Sequence, residues 1–453
     1  VATAATPPVT PLRLRAAELH PSLRDPQLDS MNFLNEVVGR YPRAISFAPG
    51  RPHLGLFEPE RIGEYVERYA THLACDHGHT PEQVHTSLFQ YGRTNGQIHD
   101  LVARTVGNDE GIHVPPEAVV VTVGAQEGML LVVRALFGSP DDVLVVSDPC
   151  YVGIGGVARL LEVPMEPARE GPAGLDAAAL RAAVARVRAA GRRPRAVYVV
   201  PDFANPSGVS LDVAARRELL AVADQEDLVV IEDNPYGFFA RDGRPRPTLK
   251  SLDRSGRVVY LGSFAKTCFP GARVGYVLAD QPVVGVDDAE RLLADELSKI
   301  KSMTTVNTPS LSQAVIGGML LAHDCRLRPA VAPAAAFYRA NLEVLLAELD
   351  RHFPAGSPVR WNVPDGGFFL VVQVPFAADE DALRRSAEEF GVLWTPMRHF
   401  YLDAGGENHL RLSCSALPPD LIRDGVARLA AFVAAESHRS GTGVPTTGTP
   451  AGD

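Results

Sequence analysis

Lys266 ends the stretch RVVYLGSFAK, in which Val258, Val259, Tyr260 and Leu261 form a short apolar run and Gly262-Ser263 breaks it. An amine just past a buried strand can capture an aldehyde. The chain has four lysines, Lys250, Lys266, Lys299 and Lys301, against forty arginines, so a lysine at that position stands out. The ordinary alternative is a surface lysine with its stem on apolar neighbours. Asp233, in IEDNPY, also follows a strong apolar run, and a carboxylate there can hold a protonated pyridine nitrogen. It can equally cap the following turn. Asn205, in PDFANPSG, has an amide able to donate to a phenolate or carboxylate oxygen, or else merely serves an Asn-Pro turn. Tyr151 can stack on a planar cofactor or pack in the core. Gly124, Ala125 and Gln126 lie between a strand and a helix, where backbone N–H groups can cradle a phosphate, or form an ordinary turn.

The elements that must position these residues form an alternating series. AVVVTVG, DVLVVSD, AVYVVPDF and DLVVIEDN read as strands, separated by helical runs such as GAQEGMLLVVRALF and DVAARRELLAVADQ. Apolar strands alternating with helices imply an α/β core with a mostly parallel sheet covered on both faces. Upstream, helices are expected over 31–40, 58–73 and from about Gln97; downstream, over 282–303, 309–323, 331–350 and 418–436. Strand signals at 361–375, 391–401 and 409–416 point to a smaller α+β region that recruits the N-terminal segment. The expected divisions are a flexible arm, 1–26; an N-terminal part of the small domain with a linker, 27–75; a large α/β domain, 76–330; a C-terminal small domain, 331–436; and a disordered tail, 437–453.

At 453 residues with 46% apolar and 22% charged residues, the chain can bury a sizeable core as a globular protein. A net charge of -10 favours neither nucleic acid nor an anionic membrane as partner. Five widely spaced cysteines make no disulfide framework, no apolar stretch is long enough to span a bilayer, and the first residues lack a signal pattern, so a cytoplasmic protein is expected. His72, Cys75, His77, His79 and His85 are competent ligand types. Their spacing does not repeat a compact zinc pattern, and Gly78 and Pro81 suggest a surface loop; no metal is expected.

The ordered combination of NPSG, EDNPY, SFAK and PGARVGY, within about 40–436, resembles the fold-type I pyridoxal-phosphate aminotransferases of class I/II, and most of all their kynurenine/2-aminoadipate aminotransferase-like branch. That resemblance implies a large, mostly parallel seven-stranded-sheet domain with a smaller α+β domain, pyridoxal 5'-phosphate as cofactor, amino-acid and oxo-acid substrates, and a homodimer. By the resemblance, Lys266 would form the internal aldimine and shuttle protons, Asp233 would pair with the pyridine nitrogen, and Asn205 and Tyr236 would address the ring hydroxyl under a stacked Tyr151. Ser263, Arg273 and the 124–126 turn would hold phosphate, with Tyr91 reaching it from the other subunit. Arg411 would clamp the substrate α-carboxylate with help from Asn205.

Three departures from the family pattern stand out. Ala265 precedes Lys266 where a serine is frequent, Pro396-Met397-Arg398-His399-Phe400 replaces a Pro-Gly-x-x-Phe segment, and Arg51 lies in the N-terminal glycine-containing turn. Arg51 and Arg398 are candidates for a distal substrate anion, with plain surface arginines as the alternative; His53 and His399 read as satisfied polar residues. Gly366 and Gly367 suit a close-packed backbone segment rather than chemistry. The expected reaction is ping-pong exchange of an amino group between an L-amino acid and a 2-oxo acid. The competing readings are elimination, replacement, C–C bond formation or oxidation on the same cofactor in specialised metabolism, and a non-enzymatic ligand sensor.

Overall fold

Runs such as Val119–Thr122 and Asp142–Asp148 carry no polar face, and both strands are buried along their whole length. They belong to a seven-stranded sheet in the order 119–122, 275–278, 258–263, 229–233, 193–199, 142–148, 165–169. All neighbours run parallel except Gly275–Leu278, which is antiparallel to both of its partners. The computed structural model describes residues 12–25, 27–285 and 288–441.

Side chains alternate across the sheet as the two-residue period of a strand requires. Val120, Tyr198, Ile231, Val259 and Leu261 pack on one side with helices Gly124–Leu136 and Leu293–Thr304. Val119, Val121, Tyr260 and Tyr276 face helices Arg61–Cys75, His99–Glu110 and Ser310–Ala322. Helices Ala177–Ala189 and Val213–Gln225 cover Val197, Val199 and Val230. The parallel strands therefore end together, and the residues just beyond their carboxyl ends share one crevice.

A second, four-stranded antiparallel sheet, in the order 360–361, 369–373, 409–413, 395–396, carries Arg411. Its core joins Phe47, Leu349, Leu370, Trp394, Leu412 and Phe432. The strand Ile45–Ser46 pairs in parallel with Val392–Leu393, so an N-terminal segment is built into the small domain beside this sheet.

Several local expectations are corrected. The helix expected over 282–303 begins only at Leu293; Pro282–Val284 and Glu290–Leu292 make an antiparallel hairpin, which suits the β-branched valines. Pro81–Phe89 is a helix rather than a loop, because Thr80 accepts from Gln83 N–H while the Gln83 side chain accepts from Thr80 N–H, a capping box with Pro81 just inside the start. The helix Leu327–His352 starts earlier than expected because Asp109, from another helix, accepts from the N–H groups of Leu327 and Arg328. The last helix, Pro419–Arg439, runs past the expected start of the tail: Glu436 pairs with Arg385 and Arg439, and Ser437 is buried. Of the expected arm, residues 1–11 and 26 lie outside the described residues, as does 442–453 of the expected tail. Residues 12–25 include two short turns, Ala16–Glu18 and Pro21–Arg24, and Asp25 accepts from Arg159 Nε at 2.8 Å.

Candidate active site

The crevice at the strand ends is a cavity of about 400 Å³. Ala125, Gln126, Tyr151, Asn205, Asp233, Tyr236, Ser263, Lys266, Arg273, Arg411 and Arg51 all line it. Residues hundreds of positions apart thus converge, because most of them lie at or just beyond the carboxyl ends of strands of the large sheet, while Arg411 lies in a strand of the small one.

Lys266 follows the strand Val258–Ser263 and donates from Nζ to the carbonyl of Gly50 at 2.7 Å. Gly50 is needed there: a Cβ would collide with the Phe369 ring. The other three lysines each hold a carboxylate, Lys250 with Asp280, Lys299 with Glu296 and Lys301 with Glu127. Lys266 has no such ion pair within 4 Å among the described residues. Burial lowers its pKa to about 8, assisted by the Arg273 and Arg411 charges and opposed by Asp233. An ammonium with its charge destabilised in this way yields far more neutral amine near neutrality than an ordinary lysine.

Asp233 ends the strand Val229–Asp233 and is 3% exposed. Burial raises its pKa to about 6, against the Tyr198 hydroxyl and the Lys266 charge. Tyr198 O–H donates to Asp233 Oδ2 at 2.6 Å, whereas Oδ1 is buried with no hydrogen-bond partner among the described residues. A buried carboxylate oxygen without a donor is costly. A protonated ring nitrogen is the donor it fits. Tyr151 and Tyr236 flank the same space; burial pushes Tyr151 up to about 12 and Tyr236 higher, so both keep their protons.

At the other end, Gly124 opens the helix Gly124–Leu136 with φ +72°, and a Cβ there would collide with Arg273 Nη2. The guanidinium therefore lies against the helix N-terminus, where free N–H groups and positive charge favour a phosphate. Ser263 adds a hydroxyl, and its Oγ already accepts from Ala265 N–H at 3.2 Å. A pyridine-nitrogen acceptor, a depressed lysine and an anion cradle in one cavity match the three ends of pyridoxal phosphate.

Arg411 is 3% exposed between the rings of Phe369 and Phe400, whose centroids lie 4.3 and 4.8 Å from its Cζ. It donates to Asn205 Oδ1 at 2.5 Å, Ala48 O at 2.7 Å and Thr395 Oγ1 at 3.3 Å. Nε is buried without a partner among the described residues, which leaves a donor for an incoming carboxylate. Burial lowers its pKa to about 10, so it stays charged at neutral pH. Asn205 is held in turn by its loop. Arg216, from the helix Val213–Gln225, donates to Pro201 O and Leu211 O and pairs with Asp202, with both side chains essentially inaccessible.

Two named residues lie outside this cavity, Arg398 against expectation and Tyr91 as a residue expected to serve the other subunit's site. Arg398 does not line the cavity; its guanidinium pairs with Glu380 on the outer side of the segment, which also engages His399. Tyr91 is 83% exposed and also away from the cavity. His53 packs on Phe337 and contacts Ala416 O at 3.0 Å, in keeping with a satisfied polar residue. Sequence reading missed Tyr198, Gly50 and the Phe369–Phe400 clamp. Tyr198 had a signal: it pairs with Ile231, two residues before Asp233 and so on the same side of the sheet.

The sheet order and this cavity define a fold-type I pyridoxal-phosphate enzyme with a large sheet domain and a smaller one. The profile described as aminotransferase class I and II matches residues 77–429, and the chain belongs to that family. It is 49% identical over 423 residues to (S)-3,5-dihydroxyphenylglycine transaminase of Amycolatopsis orientalis, covering 93% of this chain and 95% of that one. The kynurenine aminotransferase of Pyrococcus horikoshii, solved with PMP, superposes with a TM-score of 0.77 at 27% identity, covering 93% and 96% of the two chains. An α-aminoadipate aminotransferase from Thermus thermophilus, complexed with N-(5'-phosphopyridoxyl)-L-leucine, gives 0.71 at 30% identity over 87% and 94%. The protein is thus a pyridoxal-phosphate-dependent aminotransferase of the kynurenine/2-aminoadipate-like branch, acting on amino acids and 2-oxo acids.

Proposed function

We propose that this aminotransferase transfers the amino group of an arylglycine of the (S)-3,5-dihydroxyphenylglycine type to a 2-oxo acid. The observation that carries the reading is the 49% identity, over nearly the whole of both chains, with the (S)-3,5-dihydroxyphenylglycine transaminase. The cavity is compatible: Val38, Pro49, Met129, Val152 and Phe369 give apolar wall for a ring attached directly to Cα, and Arg51 offers donors to ring oxygens.

When bound, pyridoxal phosphate supplies the electron sink that makes the substrate Cα–H acidic. The chain's residues divide the remaining work. Asp233, held by Tyr198, accepts the ring N–H and keeps that ring positively charged. Asn205 and Tyr236 address the ring oxygen, and Tyr151 covers the ring face. Ser263, Arg273 and the backbone of 124–126 hold the phosphate. Lys266 would hold the carbonyl end of the cofactor until the substrate amine displaces it, and then, as a free neutral amine, would carry the proton from the substrate Cα to the cofactor's carbonyl carbon. Arg411 fixes the α-carboxylate and so aligns the Cα–H bond with Lys266.

The active unit in this reading is a cytoplasmic homodimer in which Tyr91 reaches the phosphate of the partner's site, which fits its exposure in the single chain. The test is a half-reaction. Holoenzyme mixed with (S)-3,5-dihydroxyphenylglycine alone yields stoichiometric pyridoxamine phosphate and the corresponding arylglyoxylate, and a 2-oxo acid then restores the starting absorbance. Turnover with 2-aminoadipate but not the arylglycine overturns the substrate assignment. Loss of a side-chain group, carbon–carbon coupling or oxygen consumption overturns transamination as the main reaction.

A further inference from the structure

The histidine-rich segment does not line the cavity, and the fold brings it near a residue that its own spacing does not include. The helix Arg61–Cys75 ends in a tight reversal: the N–H groups of Asp76 and His77 both return to His72 O, at 2.9 and 3.4 Å, and His79 N–H returns to Leu73 O at 3.0 Å. Gly78 takes φ +68°, the left-handed conformation that such a reversal needs. The chain therefore doubles back over the helix end and lays the His77 ring against the His72 ring, with centroids 4.7 Å apart and planes at 83°.

The nitrogen atoms converge. His72 Nε2 and His77 Nε2 are 3.1 Å apart, and Asp100 Oδ2, from the first turn of the helix His99–Glu110, lies 4.0 Å from His77 Nε2. One ligand atom from each of the three side chains lies within 4.8 Å of the others. A zinc ion with bonds of about 2.0–2.1 Å in a tetrahedral set places its ligand nitrogens about 3.3 Å apart, close to the separation of the two imidazoles. The carboxylate needs only a small side-chain rotation to join them.

The orientation of His72 points the same way. Its Nδ1 lies 2.6 Å from Asp76 Oδ2, so Nδ1–H donates to that carboxylate and Nε2 carries the lone pair toward His77 and Asp100. A carboxylate behind a histidine ring is the arrangement that fixes the tautomer of metal-ligating histidines and raises their basicity. Two imidazoles with one carboxylate select a zinc-like ion over magnesium or calcium, which take all-oxygen sets. Cys75 is exposed and is not one of the three converging groups.

We propose that His72, His77 and Asp100 bind one Zn²⁺ ion, with water in the fourth position and Asp76 orienting His72. The ion joins the C-terminal end of the helix Arg61–Cys75 to the start of the helix His99–Glu110. It thereby fixes the two ends of the intervening segment, which includes the helix Pro81–Phe89 and Tyr91. The role is structural, and it is independent of the substrate assignment.

The test titrates zinc chloride into chelator-stripped holoenzyme near pH 7.5 by calorimetry, with retained zinc counted by elemental mass spectrometry after gel filtration. One equivalent per chain is expected, with a rise in Tm on binding. His77→Ala and Asp100→Asn each weaken this site at least about tenfold, and Asp76→Asn, which changes only the orienting carboxylate, weakens it about 10- to 100-fold. His85→Ala, which alters a histidine outside the cluster, leaves it unchanged. Parent-like circular dichroism and cofactor absorbance in His77→Ala show that the exposed substitution has not unfolded the chain. The proposal is overturned if holoenzyme takes up no saturable equivalent, or if His77→Ala binds zinc as tightly as the parent.

Discussion

Arg411 and Asn205, 206 residues apart in the chain, are joined by one hydrogen bond of 2.5 Å from Nη1 to Oδ1. The bond ties the small sheet to the loop at the end of the strand Arg193–Val199, so the proposed carboxylate clamp and the amide proposed to face the cofactor share one geometry. Replacing Arg411 by lysine keeps a charge but removes the planar fork. The account predicts that Arg411→Lys lowers kcat/KM for the amino acid by about a hundredfold, equivalent to about 3 kcal/mol of lost charge-assisted bonding. Steady-state kinetics check this; parent-like kcat/KM would show that the clamp lies elsewhere.

Asp233 predicts opposite effects on stability and on activity. Its folded pKa, about 6, lies above the ordinary value of 3.8. Between those values the folded chain holds more protons than the unfolded one, so this group lowers stability as pH rises through that window, and the penalty is complete above pH 6. Asp233→Asn should stabilise the apoenzyme at pH 7.5 by up to roughly 3 kcal/mol and flatten its pH–stability curve between about pH 4 and 6. The same change should lower transamination by at least about a hundredfold, since the ring nitrogen loses its ionic partner. Denaturant titrations of apoenzyme with and without the substitution measure the first effect.

Arg51 and Arg398 should separate cleanly. Arg51 lines the cavity, and as a donor to a neutral ring hydroxyl it contributes about 1 kcal/mol, so Arg51→Ala should raise KM for the dihydroxyphenylglycine about fivefold. Arg398→Ala should leave that KM unchanged, because its guanidinium is held by Glu380 away from the cavity. Substrate kinetics of the two variants, run side by side, test the assignment.

The shared site of the proposed dimer has a complementation test. Lys266→Ala and Tyr91→Ala chains are each expected to be nearly inactive, yet subunit exchange in a one-to-one mixture should restore about a quarter of the parent sites. Each mixed dimer then holds one site with both native residues. Activity that stays at the level of the separate variants would place Tyr91 in the same chain's site or outside it.

Arg216 should matter for stability before chemistry. Its removal leaves Asp202 charged and buried, a defect that costs about 3–5 kcal/mol. Chemical denaturation of Arg216→Ala checks the loss.

The groups at the strand ends were legible in the sequence because each follows a short apolar run: Asp233 after VVIE, and Lys266 just beyond VVYLGS. What could not be read was tertiary. The donation from Lys266 to Gly50 and the rings about Arg411 depend on how the N-terminal segment and the small sheet pack, and Asp109 caps a helix that begins at Leu327. Thr80 and Gln83, by contrast, spelled a helix start that the neighbouring glycine, proline and histidines obscured. Asp100 joins His72 and His77 only because two helices meet there.

The central claim concerns Lys266, and borohydride reduction of the holoenzyme followed by peptide mapping tests it most directly. The account predicts one phosphopyridoxyl group per chain, attached at Lys266, and none in Lys266→Ala. A modification mapped to Lys250, Lys299 or Lys301, or parent-like labelling and turnover in Lys266→Ala, would contradict it.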